Sequence, residues 1–424
     1  MWNRNNWFIA GLVLALILCV GFILFPRQTS DANWYIQLAM GKRDVPKPWG
    51  ARILHPFLAG WIERTTGISL ESAFFLLACV ATFVVGLLLA RFAYKVTGNP
   101  WWSLLAIHPG LLQAVGSIYL NDLFLLAVVL IFLSTLSIPP VALLFAVLAV
   151  LTREVGLVAV IIAGAVLLSQ GKRLYGVGLI LTGLLTWFVI VPRIASIGTN
   201  LHGASEIVYM VARSFAALVR NFLGFQIWTD SLAQLWAKWE MGNCETPLFS
   251  FALPKCLQIG NVHRVGLCPW QPEHIFVFAT VYLTGWGVFP GLTYANRHQL
   301  RALLAKLPID ITIGSLFGLV MVALAPFITY GFALCRLSIY ASIPAASLVP
   351  CVVLTLRQKF NLSNWQVASV VLTHITLNVV FLLALMGAIG IRWLGVLVVL
   401  GAITQLMLAR FPRATEVSEG SELR

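Results

Sequence analysis

The chain has 424 residues, of which 60% are hydrophobic and only 10% are charged, and its net charge is +13. Charged residues make up about 25% of an ordinary soluble domain, so this composition excludes one. In a membrane protein, an excess of lysine and arginine marks the loops that stay in the cytoplasm rather than a nucleic-acid partner. We therefore expect an integral membrane protein that is surrounded by membrane lipids and binds no nucleic acid.

Long apolar stretches recur along the chain and are continuous in Leu, Ala, Val and Gly, which favours helices over the alternating strands of a barrel. The fold class predicted is all-α: a polytopic transmembrane helical bundle of about eleven or twelve spans that forms a single domain over residues 1–410. The spans are expected at 7–25, 71–90, 101–119, from 121 onward, and at 139–151, 154–169, 174–192, 274–292, 309–330, 337–356, 365–388 and 393–409.

Two of these regions are interrupted. His108-Pro109-Gly110 predicts a kink or a break in the third span, because proline removes a backbone donor and disrupts the helix. Residues 139–169 are split at Arg153 and Glu154. This split allows either a short hairpin of two helices or one tilted helix, and the second alternative would reverse the orientation of every later span.

The distribution of positive charge favours a cytoplasmic amino terminus, since each short loop on that side then carries at least two lysines or arginines. Arg91 and Lys95 form one such pair. Two long loops, 26–70 and 193–273, then lie on the non-cytoplasmic side. Short interfacial helices are expected in these loops at 31–40, 53–62 and 205–224.

The cysteines and the carboxyl-terminal tail add two expectations. Cys244, Cys256 and Cys268 lie in the second long loop, where an oxidising compartment would allow a disulfide between two of them. The sequence leaves open which two would pair. The polar tail at 411–424 is expected to be disordered and cytoplasmic.

Ionisable residues are costly within a bilayer, so those at the ends of spans are informative. Under the predicted topology, Asp31, Asp122 and Glu154 reach the same non-cytoplasmic boundary from three separate segments. Arg52 and Arg153 lie at the same level. Such a cluster could bind a phosphate, a sugar or a divalent metal ion.

Each of these acids also has a purely structural interpretation. Asp31 precedes a short helix and Asp122 begins another, so capping and the helix dipole account for both. Arg153 and Glu154 are neighbours and can shield one another from lipid. The residues alone leave both the structural and the functional interpretation open.

Four segments together resemble a known family of enzymes. Residues 30–39 place an acid and then a tyrosine-containing helix after the first span, and residues 51–59 contain an Arg-x-Leu-x-Pro pattern. Residues 121–124 and 151–157 are similar to recurring segments of the same proteins. Over roughly its first 170 residues, the chain resembles the GT-C type integral membrane glycosyltransferases.

The resemblance implies a GT-C-like fold and transfer of a hexose or pentose from a polyprenyl-phosphate sugar donor to a lipid or glycan acceptor. By this analogy Asp31 is the catalytic base, and Arg52 and Arg153 bind the donor phosphate or orient charge. No cofactor follows with certainty, and a divalent metal is left open. The residues expected to position the acceptor or support the site are Asp122, Glu154, Tyr35 and His55.

Two other functions fit the same sequence features. One is a transporter or flippase of a lipid-linked sugar, and the other is a non-catalytic subunit of an envelope assembly. For all three, the expected location is a bacterial inner membrane, with the site facing the periplasm or the exterior.

Overall fold

The computed structural model describes most of the membrane-embedded chain. The residues described are 6–25, 28–29, 31–42, 45, 48–195, 206–229, 248–254, 263–295, 297, 307–331, 333–359, 361–388 and 390–409. The predicted tail at 411–424 lies outside them, as do Cys244 and Cys256.

The first part of the chain forms five helices, of which α1 and the short α2 run antiparallel to the long α5. α1 packs along α5, where a Cβ added to Gly86 would lie 2.7 Å from the backbone oxygen of Gly11. Such small residues let two membrane helices approach closely. The short helix expected at 31–40 is present, and the one expected at 53–62 is longer than predicted. The five helices are α1 (Asn6–Leu18), α2 (Gly21–Leu24), α3 (Ala32–Ala39), α4 (Leu54–Thr66) and α5 (Leu70–Thr97).

The break predicted at His108-Pro109-Gly110 is present. A 3-10 turn (Pro100–Ala106) follows α5, and α6 (Pro109–Gly116) begins after His108. The Nδ1 atom of His108 accepts a hydrogen bond from the Gly110 N–H at 3.1 Å, so this side chain caps the helix.

Residues 139–169 form a hairpin of two helices, so the alternative of one tilted helix is wrong. After α7 (Asp122–Ser134), α8 (Pro139–Thr152) runs back towards the start of α7, and α9 (Val155–Ser169) leaves from there. The turn between α8 and α9 contains Arg153, whose backbone is extended at φ −166° and ψ 153°. The polar residues that start α7 and separate α8 from α9 are thereby brought to one level.

These three helices are short. α7, α8 and α9 contain 13, 14 and 15 residues, which corresponds to about 20–23 Å of helix. The hydrocarbon core of a bilayer is about 30 Å thick. The turn at Arg153 and the far ends of these helices therefore cannot both lie at the surfaces of an unperturbed bilayer.

The segment after α9 leads into the second long loop. α10 (Arg173–Leu185) continues through a π turn to α11 (Val191–Ile194), and the amphipathic α12 (Glu206–Leu223) confirms the helix expected at 205–224. Only helices were predicted for this loop, but it also contains an antiparallel sheet. Its strands, in the order β1-β3-β2, are β1 (Ile227–Thr229), β2 (Phe249–Ala252) and β3 (Arg264–Leu267).

The rest of the bundle includes four long apolar helices and three shorter ones. The carboxylate of Asp310, at the start of α15, accepts a hydrogen bond from Lys95 at the end of α5 at 2.6 Å. This pair joins the two helices at the end of the bundle that is remote from α3 and α4. The helices are α13 (Pro272–Thr280), α14 (Phe289–Ala295), α15 (Ile309–Ile328), α16 (Ala333–Leu337), α17 (Ser342–Lys359), α18 (Asn364–Leu385) and α19 (Ile391–Ala409).

The span predicted at 274–292 is sharply bent. A π turn and a short break separate α13 from α14, and the axes are bent by 70°. Gly287 adopts φ +59° at the break, a backbone angle that few residues other than glycine tolerate. The Gln405 side chain donates to the Leu283 carbonyl at 3.0 Å and accepts from the Gly291 N–H at 2.6 Å. A neighbouring helix thus supplies hydrogen bonds that the break removes.

Six described helices are long and apolar enough to cross a membrane, or seven spans are present if the bent pair counts as one. The chain is an integral membrane protein with a helical bundle. The predicted number of eleven or twelve spans requires the shorter apolar helices to be counted as well, and of these α7, α8 and α9 are each too short to cross about 30 Å alone. The six are Asn6–Leu24, Leu70–Thr97, Arg173–Ile194, Ile309–Ile328, Ala333–Gln358 and Asn364–Leu385.

Gly156 should be essential to the turn between α8 and α9. A Cβ at this position would lie 2.2 Å from the Ala149 carbonyl oxygen, so Gly156→Ala should force the helices apart and destabilise the protein by about 1–3 kcal/mol. Thermal unfolding of the detergent-purified protein measures the loss. Gly178→Ala on α10, where a Cβ would meet no atom within 4 Å, is the matched control. Equal melting temperatures for the two variants would contradict the prediction.

Candidate functional site

The candidate site is a row of six ionised side chains in which negative and positive charges alternate. We call it the ion-pair chain. It joins the first long loop (26–70, called loop one below), the start of α7, the α8–α9 turn and α16. Three carboxylates and three guanidiniums give it no net formal charge. In spatial order its members are Asp31, Arg336, Asp122, Arg153, Glu154 and Arg52.

Arg52 is the most completely bonded of the three arginines. Its Nε and Nη2 atoms donate to the two carboxylate oxygens of Glu154 at 2.9 and 2.5 Å, and its Nη1 donates to the Tyr35 hydroxyl at 2.8 Å. The next residue, Ile53, donates its backbone N–H to the Leu151 carbonyl at 3.0 Å. Loop one is therefore fixed to the end of α8 by both backbone and side chain.

Arg153 occupies the centre of the ion-pair chain. Its Nη1 atom is in close contact with an Asp122 carboxylate oxygen, and its Nε donates to Glu154 at 3.4 Å. Asn121 donates to the Thr152 carbonyl at 2.7 Å and so holds the start of α7 against the end of α8. Asp122 is 1% exposed, which makes this pair the deepest part of the site.

Arg336 completes the ion-pair chain, although it is not among the site residues predicted from the sequence. Both its Nη1 and its Nη2 donate to the same oxygen of Asp31 at 3.4 Å, while its Nε lies 3.7 Å from Asp122. The sequence does contain a signal for this residue, because Arg336 is a lone charge immediately before the apolar stretch predicted as a span at 337–356. An arginine at that position is costly unless it is paired.

The structure tests the structural interpretation of each acid. Asp31 precedes α3 but makes no side-chain capping hydrogen bond, so its capping role is wrong and Arg336 is its partner. Asp122 does lie in the first turn of α7, where the helix dipole favours it. Arg153 and Glu154 do contact one another, but each also pairs with a more distant residue.

The charges of the neighbouring arginines keep Glu154 ionised. Burial by itself would raise the pKa of Glu154, but the charges of Arg52 and Arg153 and the hydrogen bonds from Arg52 lower it to about 2. The Glu154 side chain is 32% exposed, so it is reached from solvent without losing its partners. It is a carboxylate at any physiological pH.

His55 lies beside the ion-pair chain but is not part of it. Its ring packs between those of Phe74 and Phe124, each at a centroid distance of 5.1 Å, and its Nδ1 has no hydrogen-bond partner. Burial lowers the pKa of His55 to about 3, so the ring is neutral at physiological pH. The described contacts give His55 a packing role, whereas Tyr35 is bonded directly to the site.

The donor set of the site does not suit a metal ion. Every carboxylate in the ion-pair chain faces a guanidinium, and a divalent cation would have to enter among these positive charges. In the part of the chain that the structure describes, no group of three or more His, Cys, Asp or Glu side chains could hold a metal. The arrangement suits an anion better, since arginines bind phosphate and carboxylate oxygens directly.

A separate cavity lies at the other end of α5. Its volume is about 210 Å³, its wall is mostly apolar, and no charged side chain lines it. It therefore contributes no group to the site. The lining residues are Asn99, Trp101, Trp102, Leu104, Leu105, Val371 and Ile375.

His55 should make the protein sensitive to acid. Its pKa is lowered in the folded state, so the stability that its neutral ring provides is complete above pH 6.5 and is lost as the pH falls towards 3. We expect His55→Leu to melt like the wild type at pH 8 but to lose less stability between pH 6.5 and 4. Melting curves across this range, with Glu63→Gln on α4 as the control, provide the measurement. A variant with wild-type pH dependence would contradict the assignment.

Comparison with known proteins adds no relative to this description. No protein family model matches the chain, and no curated protein matches it significantly. The resemblance to GT-C glycosyltransferases therefore rests on the short motifs alone.

Proposed function

We propose that the protein is a GT-C type glycosyltransferase that moves a sugar from a polyprenyl-phosphate donor to a lipid or glycan acceptor. The observation that supports this proposal is the ion-pair chain, which gathers three carboxylates and three guanidiniums at one end of a membrane bundle. A lipid-linked phosphate donor presents its reacting carbon at the membrane interface. The enzyme for such a donor needs its charged groups there.

A disulfide supports placing this end of the bundle on the non-cytoplasmic side. Cys268 is disulfide-bonded, and its backbone N–H donates to Gln226 at 2.8 Å. In the same segment, Asn221 donates to the Pro326 carbonyl at 2.9 Å, near the end of α15 that leads to Arg336. Disulfides persist in oxidising compartments. In a bacterial inner membrane this side would be the periplasm or the exterior.

Asp31 is the best candidate for the general base. Asp122 is buried and engaged by Arg153, and both oxygens of Glu154 accept hydrogen bonds from Arg52. Hydrogen bonds to the ionised form lower the basicity of a carboxylate. The contacts of Asp31 are long, at 3.4 Å, and both are made by one of its oxygens, so its carboxylate is the least firmly held of the three.

The proposed reaction balances without a cofactor. The Asp31 carboxylate takes the proton of an acceptor hydroxyl, and the acceptor oxygen forms a bond to the anomeric carbon of the sugar. The bond from that carbon to the phosphate oxygen breaks, and the electron pair leaves with the polyprenyl phosphate. A guanidinium stabilises the charge that develops on this leaving group.

Transport of a lipid-linked sugar is the second candidate. The 70° bend between α13 and α14 and the buried imidazoles of His108 and His374 within the bundle are features that transporters also use. Incubating the purified protein with a labelled polyprenyl-phosphate sugar separates the possibilities. A new glycoside and free polyprenyl phosphate indicate an enzyme, whereas movement across a vesicle bilayer without cleavage indicates a transporter. Binding with neither result indicates a non-catalytic subunit.

Replacement of Asp31 by Asn should abolish sugar transfer. A positioned general base contributes about 100-fold to 10,000-fold to a rate, so turnover should fall at least about 100-fold. The labelled-donor assay measures turnover, and size-exclusion chromatography checks folding. Asp310→Asn, which removes a paired acid at the other end of α5, is the matched control and should keep its activity. If Asp31→Asn turned over normally, Asp31 would not be the base.

A further inference from the structure

We propose that Arg336 is the phosphate-binding residue of the site and that an incoming phosphate takes Arg336 from Asp31. This inference rests on the proposed function, because it couples donor binding to release of the base. The ligand class is a phosphate monoester or diester, such as the phosphate group of a polyprenyl phosphate. The three arginines of the ion-pair chain differ in how firmly their present partners hold them.

Arg52 and Arg153 are poorly placed to bind a further anion. Arg52 uses three nitrogens in hydrogen bonds of 2.5–2.9 Å to Glu154 and Tyr35, in the two-pronged geometry that guanidinium and carboxylate prefer. Arg153 lies between Asp122 and Glu154, and its side chain is only 7% exposed. Either residue would have to abandon a buried carboxylate to bind a ligand, which is strongly unfavourable.

Arg336 is held much less firmly. Its two terminal nitrogens converge on one oxygen of Asp31 at 3.4 Å, and its Nε is 3.7 Å from Asp122, beyond hydrogen-bonding distance. The fork of this guanidinium therefore has no two-oxygen partner. A phosphate group offers two oxygens at the spacing that the fork requires, and it would form shorter bonds than Asp31 does.

Arg336 and Asp31 are also accessible. Their side chains are 20% and 13% exposed, compared with 1% for Asp122 and 7% for Arg153. Because Glu154 at 32% is the other exposed member and is fully engaged by Arg52, the Asp31–Arg336 pair is where the ion-pair chain can open.

Polar atoms without partners lie next to Arg336. The second oxygen of Asp122 and the hydroxyl of Tyr340 are buried and lack hydrogen bonds, and Tyr340 is close enough to Arg336 to be influenced by its charge. Buried polar groups are normally satisfied, so these two atoms indicate unused bonding capacity. The Tyr340 hydroxyl could donate a hydrogen bond to a phosphate oxygen, and the Asp122 oxygen could accept one from a hydroxyl group of the sugar.

The exchange couples binding to catalysis. In the resting protein, both terminal nitrogens of Arg336 donate to one oxygen of Asp31. When phosphate occupies Arg336, this Asp31 oxygen loses its two donors and is free to accept the hydrogen bond of an acceptor hydroxyl. The base would then be active only when the donor is in place, which would limit unproductive reaction in the absence of donor.

Binding measurements can test the exchange without turnover. The full-length protein in phosphatidylcholine nanodiscs is titrated with farnesyl phosphate, with farnesol and with inorganic phosphate, by isothermal calorimetry. Arg336→Gln should weaken farnesyl phosphate binding by about tenfold or more, as expected for loss of a charged hydrogen-bonding partner. Asp31→Asn should strengthen binding several-fold, because it removes the competitor. Arg64→Gln on α4, outside the ion-pair chain, should bind like the wild type.

The decisive result is stronger binding of farnesyl phosphate by Asp31→Asn, the opposite of the change expected for Arg336→Gln. This result does not depend on whether Arg336→Gln folds. Unchanged or weaker binding by Asp31→Asn, or wild-type binding by a folded Arg336→Gln, would overturn the exchange. Arg336→Lys keeps the charge but not the fork, and it should lie between wild type and Arg336→Gln. Farnesol binding equal to that of farnesyl phosphate would show that the lipid, not the phosphate, is recognised. Inorganic phosphate competing at the same concentration would identify a free-anion site.

The labelled-donor assay keeps the two proposals separate. Binding with the expected signs but without sugar transfer would retain the phosphate site and reject the glycosyltransferase. Transfer that occurs while Asp31→Asn fails to strengthen binding would retain the enzyme and reject the exchange.

Discussion

The structure depends on the mutual neutralisation of six charges that have been removed from water. An isolated ionised group in a bilayer or a protein interior carries a desolvation penalty of several kcal/mol, so it is tolerated only with a partner. In the ion-pair chain each interior member contacts charges on both sides, and the partners come from segments far apart in the sequence. Arg52 and Glu154, for example, are separated by 102 positions. Removing one member would leave its neighbour buried and uncompensated.

The short helices determine where this charged row lies. α7, α8 and α9 would each need about 20 residues to cross the hydrocarbon core, and none has more than 15. Protein surrounds most of the charged side chains at this turn, because Asp122 and Arg153 are only 1% and 6% exposed. The close contact of Gly156 with the Ala149 carbonyl makes this turn compact. The charged row therefore lies beside a compact turn between two helices that are shorter than the hydrocarbon core is thick.

The site combines a group of short hydrogen bonds with one pair of residues that is held by longer contacts. Arg52, Glu154 and Tyr35 form a rigid group with short hydrogen bonds, whereas Asp31 and Arg336 face each other across longer distances. A rigid scaffold beside an exchangeable pair is what a binding site needs, because the scaffold preserves geometry while the pair changes partner. The proposed transferase chemistry and the phosphate exchange both use this division, although each can fail independently.

The sequence by itself determined the solvent of the protein and much of its local structure. Hydrophobic composition required a membrane, Pro109 required a break, and the cost of charge near lipid singled out Asp31, Arg52, Asp122, Arg153 and Glu154. Only the tertiary structure decided which acid meets which arginine, that Arg336 joins them, and that the span at 274–292 bends. It also decided that the second loop contains a sheet. Composition and periodicity report the surroundings of a local segment, whereas pairing depends on which distant segments pack together, and no local pattern encodes that choice.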